Sequence, residues 1–169
     1  MAAIGVGFFL GFALQAAQAA PAPVDCKNET RRAVGYWVGD WTVVDTASSA
    51  PVASSRIEWV VDGCAIRETY EQQIGPNGKP MRYGGTSHTA YDAASGQWKQ
   101  FYVDTAGRVA LLQGTLQEQR LVLDGQARGK QTRMIVEALP DGNVRQRGEA
   151  STDGGADWTP TFDFTYRRK

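Results

Sequence analysis

Net charge is the first thing this chain lacks: 18 basic side chains stand against 18 acidic ones. Without a basic excess there is no source of general nucleic-acid affinity and none of attachment to an anionic membrane surface. The one cationic cluster, Arg167, Arg168 and Lys169, ends the chain and reads as a solubilising tail rather than an anion site. Histidine is nearly absent: His88 stands alone, which excludes paired-histidine metal sites. Cysteine is limited to Cys26 and Cys64, with no Cys-x-x-Cys and no Cys/His spacing, so no zinc site is expected. The Gly-x-Ser-x-Gly elbow, the P-loop and the dinucleotide fingerprint are missing, and Ser, His and Asp occur at no spacing that points to a triad. No metal and no cofactor follows from the residues present. Beyond residue 30 there is no clear helical period, no repeat and no coiled coil.

What is there begins with a leader. The first charged side chain is Asp25, preceded by an apolar run from Ile4 to Leu14. That run suits the apolar core of a signal peptide and falls short of the roughly 20 residues of a membrane span. Ala17-Gln18-Ala19 has the small-x-small pattern of a cleavage site, so residues 1–19 read as a signal peptide and the cut falls after Ala19. No Lys or Arg precedes the run; a basic segment upstream of Met1 would complete the pattern, and an uncleaved anchor is the alternative. Residues 20–35, with Pro21 and Pro23, read as an extended linker and N-terminal segment, within which residues 26–35 can form one helical turn. The expected location is the periplasm or the medium, with no stable membrane insertion once the leader is removed. Export permits a disulfide between Cys26 and Cys64. Such a bridge would stabilise by roughly 4 kcal/mol in the chain-entropy model; one buried and one exposed thiol is the other arrangement.

Residues 36–169 read as one domain. Turn signals recur about every 8 to 14 residues between short aromatic and β-branched segments, the signature of a sandwich or barrel. The expected strands are 36–45, 54–61, 64–73, 83–91, 97–103, 108–115, 119–126, 131–138, 143–150 and 161–168. Asp62-Gly63 reads as a two-residue type I′ hairpin turn, and the Ser/Ala-rich stretch 47–55 as a flexible loop. Alternation puts Trp98, Gln100 and Tyr102 on one face and Phe101 and Val103 on the other. Leu121-Val122-Leu123 is apolar on both faces, as in a strand covered on both sides.

Four motifs bear on function. In Gly39-Asp40-Trp41 a Gly-x-Trp opens the first strand, as recurs in lipocalin-type barrels, where the indole closes one end and its N–H needs a partner. Ser151-x-Asp153-x-Gly155-x-x-Trp158 is a single Asp-box; one copy cannot build a propeller, so it reads as a structural turn. His88 could act as a general base or axial haem ligand, against the plainer reading of a satisfied or exposed side chain. The polar set Arg67, Glu68, Gln100, Arg145, Gln146 and Glu149 either lines a barrel interior or faces water. Arg67 and Glu68 are neighbours, so only one of them can point inward. With Trp59, Tyr70, Trp98 and Tyr102, an interior of Arg, Gln and aromatics suits a small, partly aromatic or carboxylated ligand. The candidate ligand-binding set is thus Trp59, Arg67, Tyr70, His88, Trp98, Gln100, Tyr102, Arg145 and Glu149.

The segments GDWTV at 39–43, IEWVVDGCAIRE at 57–68, YDAASGQWKQFYVD at 91–104, LPDGNVRQ at 139–146 and the closing STDGGADWTPTFDFTYRRK carry a resemblance. The chain resembles a family of small exported bacterial proteins, labelled as a domain of unknown function and distantly lipocalin-like, over about residues 26–169. The resemblance implies a β-barrel and an envelope or secreted location, and no established reaction. Similar members often carry Trp where this chain has Tyr102, which implies a more polar interior here if that position lines the pocket. The expectation is therefore an all-β, antiparallel up-and-down barrel of about ten strands. Its expected role is to bind a small, mostly apolar or aromatic molecule inside. The rivals are a cofactor-free isomerase, cyclase or lyase, with Glu68, Tyr70, His88, Tyr102 and Glu149 as candidate acid/base groups, and a structural envelope protein with a packed barrel.

Overall fold

A computed structural model describes residues 24–169. The signal peptide expected at 1–19, its cleavage point and the first residues of the linker lie outside the described residues. Asn28 caps a single helical turn, α1 (Glu29–Arg32), by accepting the backbone N–H of Arg31 at 3.0 Å. A 3₁₀ segment follows, Ala33–Trp37. Ten strands complete the chain: β1 (Gly39–Asp45), β2 (Pro51–Val60), β3 (Ala65–Ile74), β4 (Pro80–Asp92), β5 (Gln97–Asp104), β6 (Val109–Gln117), β7 (Arg120–Ala127), β8 (Lys130–Ala138), β9 (Val144–Ser151) and β10 (Thr159–Arg168). Each strand pairs antiparallel with its sequence neighbours, and β1 pairs with β10, so the up-and-down meander closes into a barrel. Closure leaves no edge strand.

Strand periodicity sorts the side chains. Trp41, Val43, Ile57, Ile66, Leu121, Leu123, Val136 and Tyr166 face inward and are essentially inaccessible to solvent. Arg56, Arg67, Lys99, Arg133 and Arg145 occupy the alternate, outward positions. The inner face is mainly apolar with a few buried polar side chains, and the outer face is mainly polar and charged.

One end of the barrel is sealed. The N-terminal segment crosses it, bringing Val34 and Trp37 into the core. Trp41, fully buried, donates its indole N–H to the Trp37 carbonyl at 3.0 Å, and the Arg168 guanidinium lies 4.4 Å over its ring. Gly39 makes this possible: a β-carbon there would sit 2.8 Å from Arg168 and 3.3 Å from the Trp41 ring. Tyr36 donates its hydroxyl to the Val136 carbonyl at 2.9 Å, and Arg31 donates to the Tyr91 carbonyl at 2.7 Å. Cys26 and Cys64 are joined, so of the two arrangements open to these thiols the bridge is the one formed. It ties the sealing segment to the turn between β2 and β3.

Three local expectations are corrected. Residues 36–38 are not strand: Trp37 ends a 3₁₀ turn, which carries its ring across the barrel end and aims its carbonyl at Trp41. The turn at Asp62-Gly63 is not a two-residue hairpin. The ladder ends at Val60–Ala65, and Val61, Asp62 and Gly63 all have positive φ (52°, 53° and 89°), which turns Cys64 out of the ladder. The stretch 47–55 is not all loop: β2 starts at Pro51, and the small side chains of Ala53 and Ser55 face inward opposite Val43 and Trp41. Beyond these, Val122 is not covered on its outer side; Leu121 and Leu123 are buried inside, and Val122 lines an open groove.

Candidate functional site

The inside of the barrel divides along its axis. Next to the seal a polar bridge crosses the lumen. Glu68 on β3 accepts the Ser55 hydroxyl at 2.8 Å and the Tyr166 hydroxyl at 3.0 Å, both on Oε1. Burial raises the Glu68 carboxyl above the ordinary carboxylate range, more than the two hydrogen bonds lower it. Burial, reinforced by the neighbouring Glu68, also raises the Tyr166 phenol far above its usual value. Beside them Gln100 donates to the Thr89 hydroxyl at 3.0 Å. Trp98 packs against Tyr91 with ring centroids 5.7 Å apart.

The opposite end is aromatic and only partly covered. Phe162 and Phe164 of β10 stack at 5.4 Å, Phe164 and Tyr70 at 6.5 Å, and Tyr70 meets Tyr83 edge-on at 6.3 Å. Phe162, Phe164, Tyr83, Tyr102, Leu112 and Ile74 are only partly buried. At the rim, Tyr83 donates to Asp104 at 2.9 Å, and its oxygen is in close hydrogen-bond contact with Tyr102. Arg108 reaches Asp104 at 2.6 Å through Nε and the Tyr83 oxygen at 2.9 Å through Nη2. Burial pushes the Asp104 carboxyl up, but the backbone N–H of Arg108, the Tyr83 hydroxyl and the Arg108 guanidinium outweigh it and hold it below its ordinary value. Burial is the leading cause that raises both phenols, so they stay protonated hydrogen-bonding groups. Gly85 leaves the space that the Tyr102 ring fills: a β-carbon there would lie 2.7 Å from that ring.

The candidate ligand-binding set therefore separates. Tyr70, Trp98, Gln100 and Tyr102 face the interior, Tyr70 and Tyr102 in the aromatic half. Trp59 faces inward at the sealed end, where Arg32 stacks 4.1 Å over its ring. Four others do not line the interior, because strand parity carries them to the outer wall. Arg67 pairs with Glu58 at 2.5 Å. His88 is exposed in register between Arg67 and Phe101. Arg145 grips Asp163 at 2.9 and 2.5 Å. Glu149 lies 3.9 Å from Arg133. The carboxylated ligand expected from an arginine-lined interior loses its basis with them. Among the described residues, no Lys or Arg lies on the inner wall between Trp41 and the Tyr83–Tyr102 pair.

Residues not singled out from the sequence complete the aromatic end: Tyr83, Asp104, Arg108, Phe162 and Phe164. The period of two from Tyr102 to Asp104, and from Phe162 through Phe164 to Tyr166, was the available signal. The Asp-box is a built turn: Asp153 accepts the backbone N–H groups of Ala156 and Asp157, each at 3.1 Å, and Trp158 donates to the Gly155 carbonyl at 3.0 Å. Beside it a concavity of about 1000 Å³ lies on the outside of the wall. Val109, Leu111, Val122 and Trp158 are among its lining, as are Asp124 and Arg133, which form an ion pair at 3.1 Å.

Fold and site define a class: a closed up-and-down β-barrel, plugged at one end and aromatic at the other. No protein-family model matches the chain, and no curated protein matches it.

Proposed function

We propose that this protein is an exported binding barrel that takes a small, mostly apolar or aromatic molecule through its aromatic end. The observation that carries the reading is the asymmetry of the two ends. One is closed by an indole, a 3₁₀ turn and a disulfide; the other leaves the rings of Phe162, Phe164, Tyr83 and Tyr102 partly uncovered. Aromatic walls with a few convergent polar groups are the ordinary make-up of a small-molecule site. Here the polar groups are the Tyr83–Tyr102–Asp104–Arg108 cluster and Gln72 of β3, which accepts the Tyr70 hydroxyl at 3.2 Å and donates to the Ile74 carbonyl at 2.7 Å. The Cys26–Cys64 bridge, the N-terminal apolar run and the charged outer wall support an exported, water-soluble protein. The resemblance to the small exported lipocalin-like family points the same way. Fluorescence titration with a panel of neutral aromatic probes tests the proposal. Saturable binding that Phe162→Ala weakens supports it, and no binding by any probe argues for a packed barrel.

One observation favours a second reading, a cofactor-free isomerase, cyclase or lyase. Glu68 is a buried carboxyl with a raised pKa, held by Ser55 and Tyr166, and such a group can hand over one proton. Turnover lost in Glu68→Gln with affinity retained distinguishes it from simple binding.

A further inference from the structure

Buried polar atoms normally have partners, and an exception calls for a reason. Among the described residues three buried side-chain polar atoms have none: Trp37 Nε1, Gln146 Oε1 and Arg147 Nε. Trp37 belongs to the seal, and Arg147 sits at an outward position of β9, opposite Asp163. Gln146 is different. It lies on the inner wall, in register between Val136 of β8 and Phe164 of β10. It is 8% exposed. Its Nε2 donates only to the thioether of Met134, at 3.0 Å, a weak acceptor. Its carbonyl oxygen has nothing.

Two neighbours of Gln146 bear on what could reach its free oxygen. Phe164, its cross-strand neighbour, is part of the aromatic stack that reaches the partly covered end. Met134 is unbranched and flexible, the side chain best able to give way when a guest arrives. The nearby wall offers no cation, and Glu68 deeper inside favours its neutral form. An anionic guest would therefore meet no counter-charge here, whereas a neutral guest with an N–H or O–H would satisfy an atom that is now orphaned.

Resting on the reading of the barrel as a small-molecule binder, we infer that Gln146 is the polar anchor of its ligand. The carboxamide oxygen takes a hydrogen bond from a neutral aromatic molecule that carries an N–H or O–H donor, and Met134 moves aside to admit it. The barrel thus selects uncharged hydrogen-bond donors over carboxylates and over donor-free aromatics.

The test is calorimetric titration of the full chain with indole, benzofuran and benzoate. Indole and benzofuran are close in shape and differ in the N–H. The expected result is saturable binding of indole, with benzofuran weaker by about tenfold and benzoate not bound at pH 7. In Gln146→Leu, checked for folding by its melting transition, indole and benzofuran become equal. Equal affinities in the unmodified protein, or tighter binding of benzoate, overturn the assignment of Gln146 and leave the binding barrel standing. That comparison decides the matter even if the variant does not fold. Binding of none of the three overturns the anchor, and the wider panel of neutral aromatic probes then decides the binding reading.

Discussion

Tyr166 donates its hydroxyl to Glu68 at 3.0 Å across 98 residues of sequence. The two residues sit on β10 and β3, with β1 and β2 between them around the wall. A hydrogen bond between strands that do not touch has to cross the lumen. It separates the buried residues beside the seal from the partly exposed aromatic residues at the other end.

Glu68 makes stability depend on pH. Its folded pKa is raised above the unfolded value near 4.5, so the folded state holds the proton more tightly. Stability from this group is fully present below that value and is lost as pH rises from about 4.5 through the folded pKa. Glu68→Gln removes this loss. Denaturant midpoints measured from pH 4 to pH 9 are expected to favour the variant increasingly as pH rises. Parallel profiles for the two proteins contradict the placement. Tyr166→Phe, which leaves Glu68 with one donor fewer, is expected to cost about 1–3 kcal/mol.

Asp104 works in the opposite sense. Its carboxyl is held below the unfolded value of 3.8, so its contribution is present above that pH and lost as pH falls through the folded pKa. Asp104→Asn is expected to flatten the acid limb of the stability profile and to free Arg108 and Tyr83 at the mouth. An unchanged acid limb speaks against the cluster.

Much of the wall was legible in the sequence because turns and strands carry local chemistry. Gly107, Gly142 and Gly154 lie in turns with positive φ, and all ten strands fall close to their expected places. Alternation sorted residues into two sets per strand but did not say which set enters. On β5 both sets are part aromatic; Trp98, Gln100 and Tyr102 went in, and Phe101, 46% exposed, stayed out. Arg67 and Glu68 posed the same choice, and the acid entered because Ser55 and Tyr166, distant in sequence, were there to meet it. Arg145 and Glu149 stayed out with Asp163 and Arg133. The Trp37–Trp41 seal was half legible: the Gly-x-Trp motif named the indole, and only the closed barrel shows its partner.

The inner and outer walls should respond differently to truncation. Trp98→Ala is expected to cost about 3–5 kcal/mol, as a large buried side chain does. His88→Ala and Arg67→Ala, on the outer wall, are expected to stay within roughly 0.5 kcal/mol. Chemical denaturation of the three variants checks this. A large loss at His88 contradicts its outward position.

Gly85→Val places a side chain where the Tyr102 ring lies. The expected cost is about 1–3 kcal/mol, with a changed near-ultraviolet circular dichroism signal from the displaced phenol. An unaltered spectrum at unaltered stability contradicts the packing of Tyr102 over this strand.

The Cys26–Cys64 bridge closes a separation of 38 residues. Its loss in Cys26→Ser/Cys64→Ser is expected to cost roughly 4 kcal/mol in the chain-entropy model. Under denaturing conditions without reductant no thiol should titrate. Two reactive thiols contradict the bridge.

The most direct measurement is native mass spectrometry of the protein taken from its own host. A binding barrel should fly with an added small mass that vanishes, chemically unchanged, on denaturation. A folded chain at its bare mass, with no heat of uptake from any neutral aromatic probe, would mean that the mouth admits nothing and the interior serves only to pack.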